Sequence, residues 1–386
     1  MFNTVDRKNT QSIKWDQTKK EDCIPFTIAD SDYASPKPVI DALNERVNHG
    51  VFGYTYFDDD YYNIIISFVK RHYYYEITAN QITTTMGVVG SLYYAIKMLD
   101  DKSEGIIIQT PVYNMFYGLI EKANKKVIEN KLIEEDGYYR MDFDNLEYLF
   151  SQGHKIMILC NPHNPVGRVY KDDELKKLVL LAKKYDVYLL SDEIHADIIL
   201  NDNKFISLMK YYDLYENMMV FIAPSKTFNI AGLHISLVIS KNDDLMASYK
   251  KITDEGYFKN PSLLSITALK AAYKDCDKWM ALQNQHLSKN YQIIKDYFHE
   301  KHPQVILSQV EGTYLVWLDM NYLKISCEEA TKELMNHHIS VGKGTIYSPH
   351  SEGYFRLNFA CSTEQLKEGL KRLSETIKIL EENTTK

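Results

Sequence analysis

The chain has 386 residues, of which 45% are hydrophobic and 25% are charged, a balance typical of a soluble globular protein with a substantial core. The net charge of -7 argues against nucleic acid or an anionic membrane surface as a partner. Residues 1–20 lack the apolar segment of a secretion signal, and no run approaches the roughly 18 apolar residues of a membrane span. The five cysteines are scattered without ligand spacing. We therefore expect a reduced, cytoplasmic protein without disulfides or a metal site.

The first predicted elements are a short apolar stretch and a helix. Residues 24–30 (IPFTIAD) fit either a strand or arm that crosses a cleft, or a segment merely packed on the body. Ser35 and Pro36 open a helix, with Ser35 as the expected cap and Pro36 in the first turn. The aromatic stretch at 51–56 (VFGYTY) is first interpreted as core or interface packing and second as a ligand contact.

A glycine turn precedes the next helix. Residues 83–91 (TTTMGVVGS) lead into an apolar helical pattern. The free backbone N–H groups of such a turn lie at the positive end of the helix dipole, which suits a phosphate. Many helices begin in this way without binding anything.

Polar side chains follow several buried strands. An apolar run at 106–110 leads to Tyr113, which fits either core packing or stacking on a flat ring. Three later runs end at polar residues: 155–160 before Asn164, 186–191 before Asp192, and 218–223 before Lys226. Continuous apolar strands that alternate with helices indicate a parallel sheet covered on both faces, and ligands bind at the carboxyl ends of such strands. We expect these side chains to share one site.

Lys226 is the candidate covalent anchor for a cofactor. Most lysines are solvated surface charges, and only the setting distinguishes this one. A lysine at a buried strand end is partly desolvated, which lowers its pKa and makes the neutral amine available to condense with an aldehyde.

The pattern changes after about residue 285. Residues 313–318 and 354–359 are predicted strands of a smaller α+β unit, and Arg356 lies opposite the apolar face of the second one. An arginine in this position is usually solvated, but it could instead point into an interdomain cleft as a carboxylate clamp. We predict an α/β fold with a mostly parallel seven-stranded sheet in a large domain (46–285). The N-terminal segment (1–45) is expected to join a small α+β domain (286–386).

Taken in order, these motifs resemble those of fold-type I pyridoxal 5'-phosphate (PLP) enzymes, within the class I/II aminotransferase superfamily. The motifs are GVV at 87–89, PVY at 111–113, NPHNPVG at 161–167, SDEIH at 191–195, SKTF at 225–228 and RLN at 356–358. The chain looks most similar to the MalY/PatB group of cystathionine β-lyase-like C–S lyases, and the match spans almost its whole length. Each motif alone is weak, but six in the right order are specific.

The resemblance implies roles for individual residues. Lys226 is expected to hold PLP as its covalent anchor. Around the ring, the expected contacts are Asp192 at the pyridine nitrogen, Asn164 and His195 near the phenolic oxygen, and Tyr113 stacked on the ring face. The expected phosphate contacts are the Val88 and Val89 amides, Ser225 and a neighbouring subunit's Tyr54. The residues expected to act on the substrate are Lys226 as base at Cα, Tyr113 or Tyr54 as acid toward the leaving thiolate, and Arg356 with Asn164 at the α-carboxylate. Ala223 and His234 stand where many such enzymes carry a phosphate-binding serine and arginine.

The implied reaction is α,β-elimination on an L-cysteine S-conjugate, such as cystathionine or cysteine itself, to thiol, pyruvate and ammonia. The resemblance also implies a homodimer whose active sites are shared between subunits. An aminotransferase using the same residues is the main alternative. A PLP-containing regulatory protein that binds a transcription factor is an alternative from another class, and it could coexist with lyase activity.

Overall fold

The structure is a computed structural model that describes residues 2, 5–18 and 20–384. Within this part of the chain, the strands form a seven-stranded sheet, a five-stranded sheet and a two-stranded hairpin. Twelve α-helices surround them, and none of these helices is both long and apolar enough to cross a membrane.

The seven-stranded sheet is mostly parallel, which confirms the predicted fold class. Its strands are β2 (Ile82–Thr85), β3 (Gly105–Thr110), β4 (Lys126–Lys131), β7 (Ile156–Cys160), β8 (Tyr188–Asp192), β9 (Met218–Ile222) and β10 (Ser236–Ile239). Their order across the sheet is β2-β10-β9-β8-β7-β3-β4. Only β10 runs against its neighbours, since it pairs antiparallel with both β2 and β9. The carboxyl ends of β3, β7, β8 and β9 therefore meet at one edge.

The central strands are apolar throughout because both faces of the sheet are covered. Ile107 on β3 faces one hydrophobic cluster, whereas Ile106 and Ile108 face a second cluster on the opposite side. Three helices supply most of the helical residues of the first cluster: α3 (Asp59–Tyr73), α7 (Asp172–Tyr185) and α9 (Leu263–Asp275). Three others cover the second face: α4 (Val88–Met98), α5 (Met115–Lys122) and α8 (Asp243–Glu255).

The five-stranded sheet combines the two ends of the chain. Its strands are β1 (Ile24–Phe26), β11 (Ile306–Leu307), β12 (Leu315–Asp319), β13 (Ile339–Lys343) and β14 (Tyr354–Asn358), in the order β1-β13-β14-β12-β11. β1 pairs parallel with β13, and the other pairs are antiparallel. A third hydrophobic cluster joins this sheet to α10 (Asp277–Lys301), α11 (Cys327–Asn336) and α12 (Thr363–Thr384). The remaining α-helices and strands are α1 (Ile13–Asp16), α2 (Lys37–Asn48), α6 (Phe143–Ser151) and the hairpin of β5 (Ile133–Glu135) and β6 (Tyr138–Arg140).

Two expectations about element boundaries need comment. The prediction that Ser35 caps α2 is wrong, because Pro36 occupies the cap position and makes no side-chain cap. The Ser35 hydroxyl instead donates to the Asn229 carbonyl at 3.1 Å, and so ties this turn to the large sheet. The division of the chain at residues 45 and 285 stays a prediction, and α10 runs through residue 285 without a break.

Candidate active site

A cavity of about 300 Å³ opens at the carboxyl ends of the parallel strands. Eight predicted site residues line it: Val88, Val89, Tyr113, Asn164, Asp192, His195, Ser225 and Lys226. The structure therefore brings these residues together at the carboxyl ends of the strands, as the strand-end argument predicted. Arg356 lies next to the cavity and contacts Asn164, whereas Tyr54 lies elsewhere.

Lys226 follows β9 after a short turn and points into the cavity. Its Nζ donates a hydrogen bond of 2.6 Å to the backbone carbonyl of Ala29. Burial lowers the pKa of this amine to about 8, and the positive charge of Arg356 acts in the same direction. The negative charges of Asp30 and Asp192 oppose that shift. Roughly a tenth of the amine is therefore neutral at pH 7, far more than for a lysine with the ordinary pKa of about 10.4, and a nucleophile or base requires this neutral form.

Asp192 ends β8 with its carboxyl group buried. Burial raises its pKa to about 7, although a hydrogen bond from the Ile194 backbone and the nearby Lys226 charge favour the ionised form. The Ile194 N–H donates to Oδ1 at 3.1 Å. A buried carboxylate with so little compensation is suited to pairing with a cationic group of a ligand.

Arg356 is held by the chain on two of its nitrogens. Nη1 donates to Asn164 Oδ1 at 3.0 Å, and Nη2 donates to the backbone carbonyl of Thr27. The guanidinium also lies 4.7 Å from the centre of the Tyr347 ring. Its Nε has no hydrogen-bond partner within the described part of the chain. The side chain is buried, so it is not the solvated arginine of the first interpretation, and it keeps a donor for a carboxylate.

His195 faces the same cavity, and one of its ring nitrogens makes no hydrogen bond within the described part of the chain. Burial lowers its pKa well below the ordinary value, and the charges of Lys226 and Arg356 add to that effect. Its Nδ1 is buried and has no partner among the described residues, while the ring packs edge-on against Tyr314. A neutral imidazole with an unused nitrogen is expected to hydrogen-bond a ligand.

The N-terminus of α4 lines the cavity with polar backbone groups. Gly87 adopts a φ of 104°, which favours glycine, and its N–H donates to Ser236 Oγ at 2.9 Å. The next amides, of Val88 and Val89, belong to a first helical turn and have no intrahelical acceptor. They suit an anionic group. Ser225 and the exposed His234 line the same cavity.

The two tyrosines proposed as acids lie in different places. Tyr113 lines the cavity, and burial together with the nearby Asp192 carboxyl raises its pKa to about 12. Tyr54 is fully exposed and lines a separate surface groove of about 550 Å³ with Phe52 and Leu263. Within one chain, the structure does not bring Tyr54 to the cavity.

Sequence reasoning missed several residues of the cavity wall. Ala29, Met86, Gly90, Cys160, Ile194, Ala231 and Ile235 also line it. The available signal for Ala29 was the apolar stretch at 24–30, which fitted either an arm across a cleft or a segment packed on the body. Met86, Gly90, Cys160 and Ile194 lie within stretches that the sequence analysis quoted but received no role there. No pattern pointed to Ala231 and Ile235.

Comparisons with known proteins agree with this geometry. The family model "Aminotransferase class I and II" matches residues 21–373. The chain is 32% identical to cystathionine beta-lyase PatB of Bacillus subtilis, covering 96% of this chain and 98% of that protein. It is 30% identical to protein MalY of Escherichia coli, covering 97% of each. The crystal structure of cystalysin from Treponema denticola, which contains pyridoxal 5'-phosphate, matches with a TM-score of 0.95 and 34% identity over 98% of this chain and 99% of that one. The likeness therefore extends over both sheets.

Proposed function

This chain belongs to the aminotransferase class I and II family, and we infer from that premise that it is a PLP-dependent carbon–sulfur β-lyase of the cystathionine β-lyase type. The observation that carries the proposal is the convergence of a partly neutral lysine, a buried carboxyl group and a helix N-terminus on one cavity.

The residues present fit PLP, as five features of the cavity indicate. Lys226 supplies an amine for the aldehyde, and Asp192 supplies a buried carboxyl for the pyridine nitrogen. His195 Nδ1 is an unpartnered polar atom, which suits the phenolic oxygen together with Asn164. The first turn of α4 and Ser225 suit the phosphate, and Tyr113 suits the face of the ring. When bound, PLP supplies a carbonyl that captures the substrate amine and a ring that stabilises negative charge at Cα.

Residues of this chain can bind the substrate, remove its Cα proton and support the charge on the ring. Arg356 binds the α-carboxylate and orients the substrate, supported by Asn164. Lys226 Nζ removes the Cα proton. Asp192 keeps the ring nitrogen protonated and so strengthens the electron sink. Loss of the β-thiolate leaves a three-carbon fragment, which hydrolyses to pyruvate and ammonia.

The leaving thiolate needs a proton donor. A phenol such as Tyr113, with a pKa of about 12, is a weak acid toward a thiolate whose ordinary pKa is about 8.5. We infer that Tyr113 donates a hydrogen bond to the departing sulfur, while Lys226 Nζ delivers the proton that it took from Cα. The pKa of Lys226, about 8, suits both halves of that transfer.

We further infer a cytoplasmic homodimer. All five cysteines are free and buried, as expected in a reducing compartment. Val51, Phe52, Tyr54 and Tyr56 are exposed in an irregular segment before α3. Adjacent exposed apolar side chains of this kind are typical of a protein interface. If a second copy of the chain covers this segment, Tyr54 of one subunit can reach the cavity of the other subunit.

The proposed function is tested by product analysis. The PLP-loaded protein, incubated with L-cystathionine or L-cysteine, is expected to release thiol and pyruvate in equal amounts without any added keto acid. The Lys226→Ala variant should release neither. Amino transfer that depends on a keto acid, with no thiol released, would instead identify an aminotransferase.

A further inference from the structure

A segment between β1 and α2 forms one wall of the cavity. We call residues 27–33 the strap; it contains no helix or strand, and its Ala29 lines the cavity. Every backbone carbonyl of the strap accepts a hydrogen bond from another part of the chain. The position of the strap is therefore fixed by its partners and not by its own secondary structure.

Two strap carbonyls hold side chains on which the proposed reaction depends. The Ala29 carbonyl accepts from Lys226 Nζ at 2.6 Å and from the Tyr314 hydroxyl at 2.9 Å. The Thr27 carbonyl accepts from Arg356 Nη2. A neutral amine that donates to a fixed carbonyl has its lone pair aimed in a defined direction. A displaced strap would misdirect both the base and the carboxylate clamp.

The strap is anchored behind the cavity by the carboxylate of Asp32. Oδ1 accepts from Arg7 Nη1 at 3.0 Å and from Trp15 Nε1 at 2.9 Å. Oδ2 accepts from Lys14 Nζ at 3.0 Å and from Gln365 Nε2 at 2.9 Å. The side chains of Asp32 and Lys14 are both 0% exposed. Four donors, two of them cationic, therefore converge on one buried carboxylate.

Asp30 extends the same ion cluster. Arg7 donates to both of its carboxyl oxygens, at 3.0 and 2.8 Å, and Lys14 Nζ also donates to the Asp30 backbone carbonyl at 3.2 Å. None of Arg7, Lys14 and Asp32 is among the residues that line the cavity. Arg7, Lys14 and Asp32 can therefore affect the geometry of the cavity through the strap, whereas the charge of Asp30 also raises the pKa of Lys226 directly.

We propose that Asp32 is a positioning residue: by anchoring the strap to Arg7 and Lys14, it fixes the Ala29 and Thr27 carbonyls that orient Lys226 and Arg356. The inference rests on the proposed function, because it concerns the base and the carboxylate clamp of that reaction. A misplacement of about 1 Å in such groups is enough to slow an enzyme by on the order of 100-fold.

The test compares Asp32→Asn with a matched variant of a second ion cluster. Asn keeps the shape of Asp32 but removes the charge that Arg7 and Lys14 share. The control is Glu311→Gln, since Glu311 pairs with the buried Arg168 and touches neither strap nor cavity. In the PLP-loaded Asp32→Asn variant, kcat is expected to fall roughly tenfold or more and KM to rise. The apoprotein should also bind added PLP more slowly, as followed by absorbance. Glu311→Gln should lower the melting temperature and leave kcat, KM and the rate of PLP binding unchanged.

The inference is overturned if Asp32→Asn lowers only the melting temperature, or if Glu311→Gln reproduces the kinetic changes. If Asp32→Asn does not yield folded protein, Arg7→Met replaces it under the same criteria, because it leaves the Lys14–Asp32 pair in place. Failure of the lyase proposal is separately visible as a wild-type protein that releases no thiol. The rate of PLP binding by the apoproteins would then still decide the role of Asp32.

Discussion

Burial sets the protonation states of the groups around the cavity. It lowers the pKa of Lys226 to about 8 and that of His195 well below its usual range, and it raises that of Asp192 to about 7. Each shift favours the neutral form, as desolvation requires. The site therefore presents a nucleophilic amine, an uncharged imidazole and a carboxyl group that ionises when a cation is placed beside it.

We expect the capture of PLP by the apoprotein to depend on the pKa of Lys226. Only the neutral amine attacks an aldehyde, so the rate should rise with pH and level off above a midpoint near 8. The folded protein loses this proton at lower pH than the unfolded chain, because the folded-state pKa is depressed from 10.5. Stopped-flow absorbance measures the rate, with Lys226→Ala as a control that should show no capture. A midpoint near 10, the value of an exposed lysine, would contradict the account.

The individual site residues were predictable to the extent that local pattern places them. Asn164, Asp192 and Lys226 each follow an apolar run, and parallel strands bring such positions together. The Asp32 cluster was not predictable in this way. Its bond to Gln365 spans 333 positions of the chain, and no periodicity or local motif carries that information.

The helices and strands show why such patterns work and where they fail. The continuous apolar runs of β7, β8 and β9 correctly indicate strands buried on both faces. The predicted cap of α2 is wrong because Pro36, and not Ser35, occupies the cap position, and the Ser35 hydroxyl donates to the distant Asn229 carbonyl. The local pattern around residues 35 and 36 contains no information on this tertiary contact.

The turn between β5 and β6 offers a test of packing outside the site. Gly137 has a φ of 77°, and a Cβ there would lie 2.1 Å from the Leu307 carbonyl oxygen. Gly137→Ala should lower the free energy of unfolding by roughly 2 kcal/mol or more, because backbone strain and a backbone clash add. Gly153→Ala is the matched control, since Gly153 has a φ of 90° but a Cβ added there would meet no other atom within 4 Å. Denaturant unfolding should show a smaller loss of about 1 kcal/mol for Gly153→Ala; equal losses would show that the clash is relieved.

The whole molecule depends on contacts between remote parts of the chain. β1, near the N-terminus, pairs with β13 of the C-terminal sheet, and the strap that follows β1 joins that sheet to Lys226. The alternation of strands and helices predicted the fold class correctly. It contained no information on which strands are neighbours, since the order β2-β10-β9-β8-β7-β3-β4 follows from packing of the assembled layers.

The proposed sharing of active sites between subunits predicts complementation between two impaired variants. Lys226→Ala lacks the proposed base, and Tyr54→Ala should impair the neighbouring site in the proposed homodimer. Mixing equal amounts under conditions of subunit exchange should restore about a quarter of wild-type lyase activity, because half the dimers then carry one intact site. Lys226→Ala mixed with Asp192→Ala is the control and should restore none, since both changes affect residues of the same chain's cavity. No gain in the first mixture would show that Tyr54 serves only its own chain or no site at all.

The measurement that tests the central claim most directly is reductive trapping of the cofactor. The PLP-loaded protein is treated with borohydride, digested and analysed by mass spectrometry. A phosphopyridoxyl group on the peptide that contains Lys226 is the expected result, together with loss of both adduct and lyase activity in Lys226→Ala. A protein that takes up no PLP, or that carries the reduced adduct on a different lysine, would contradict the account.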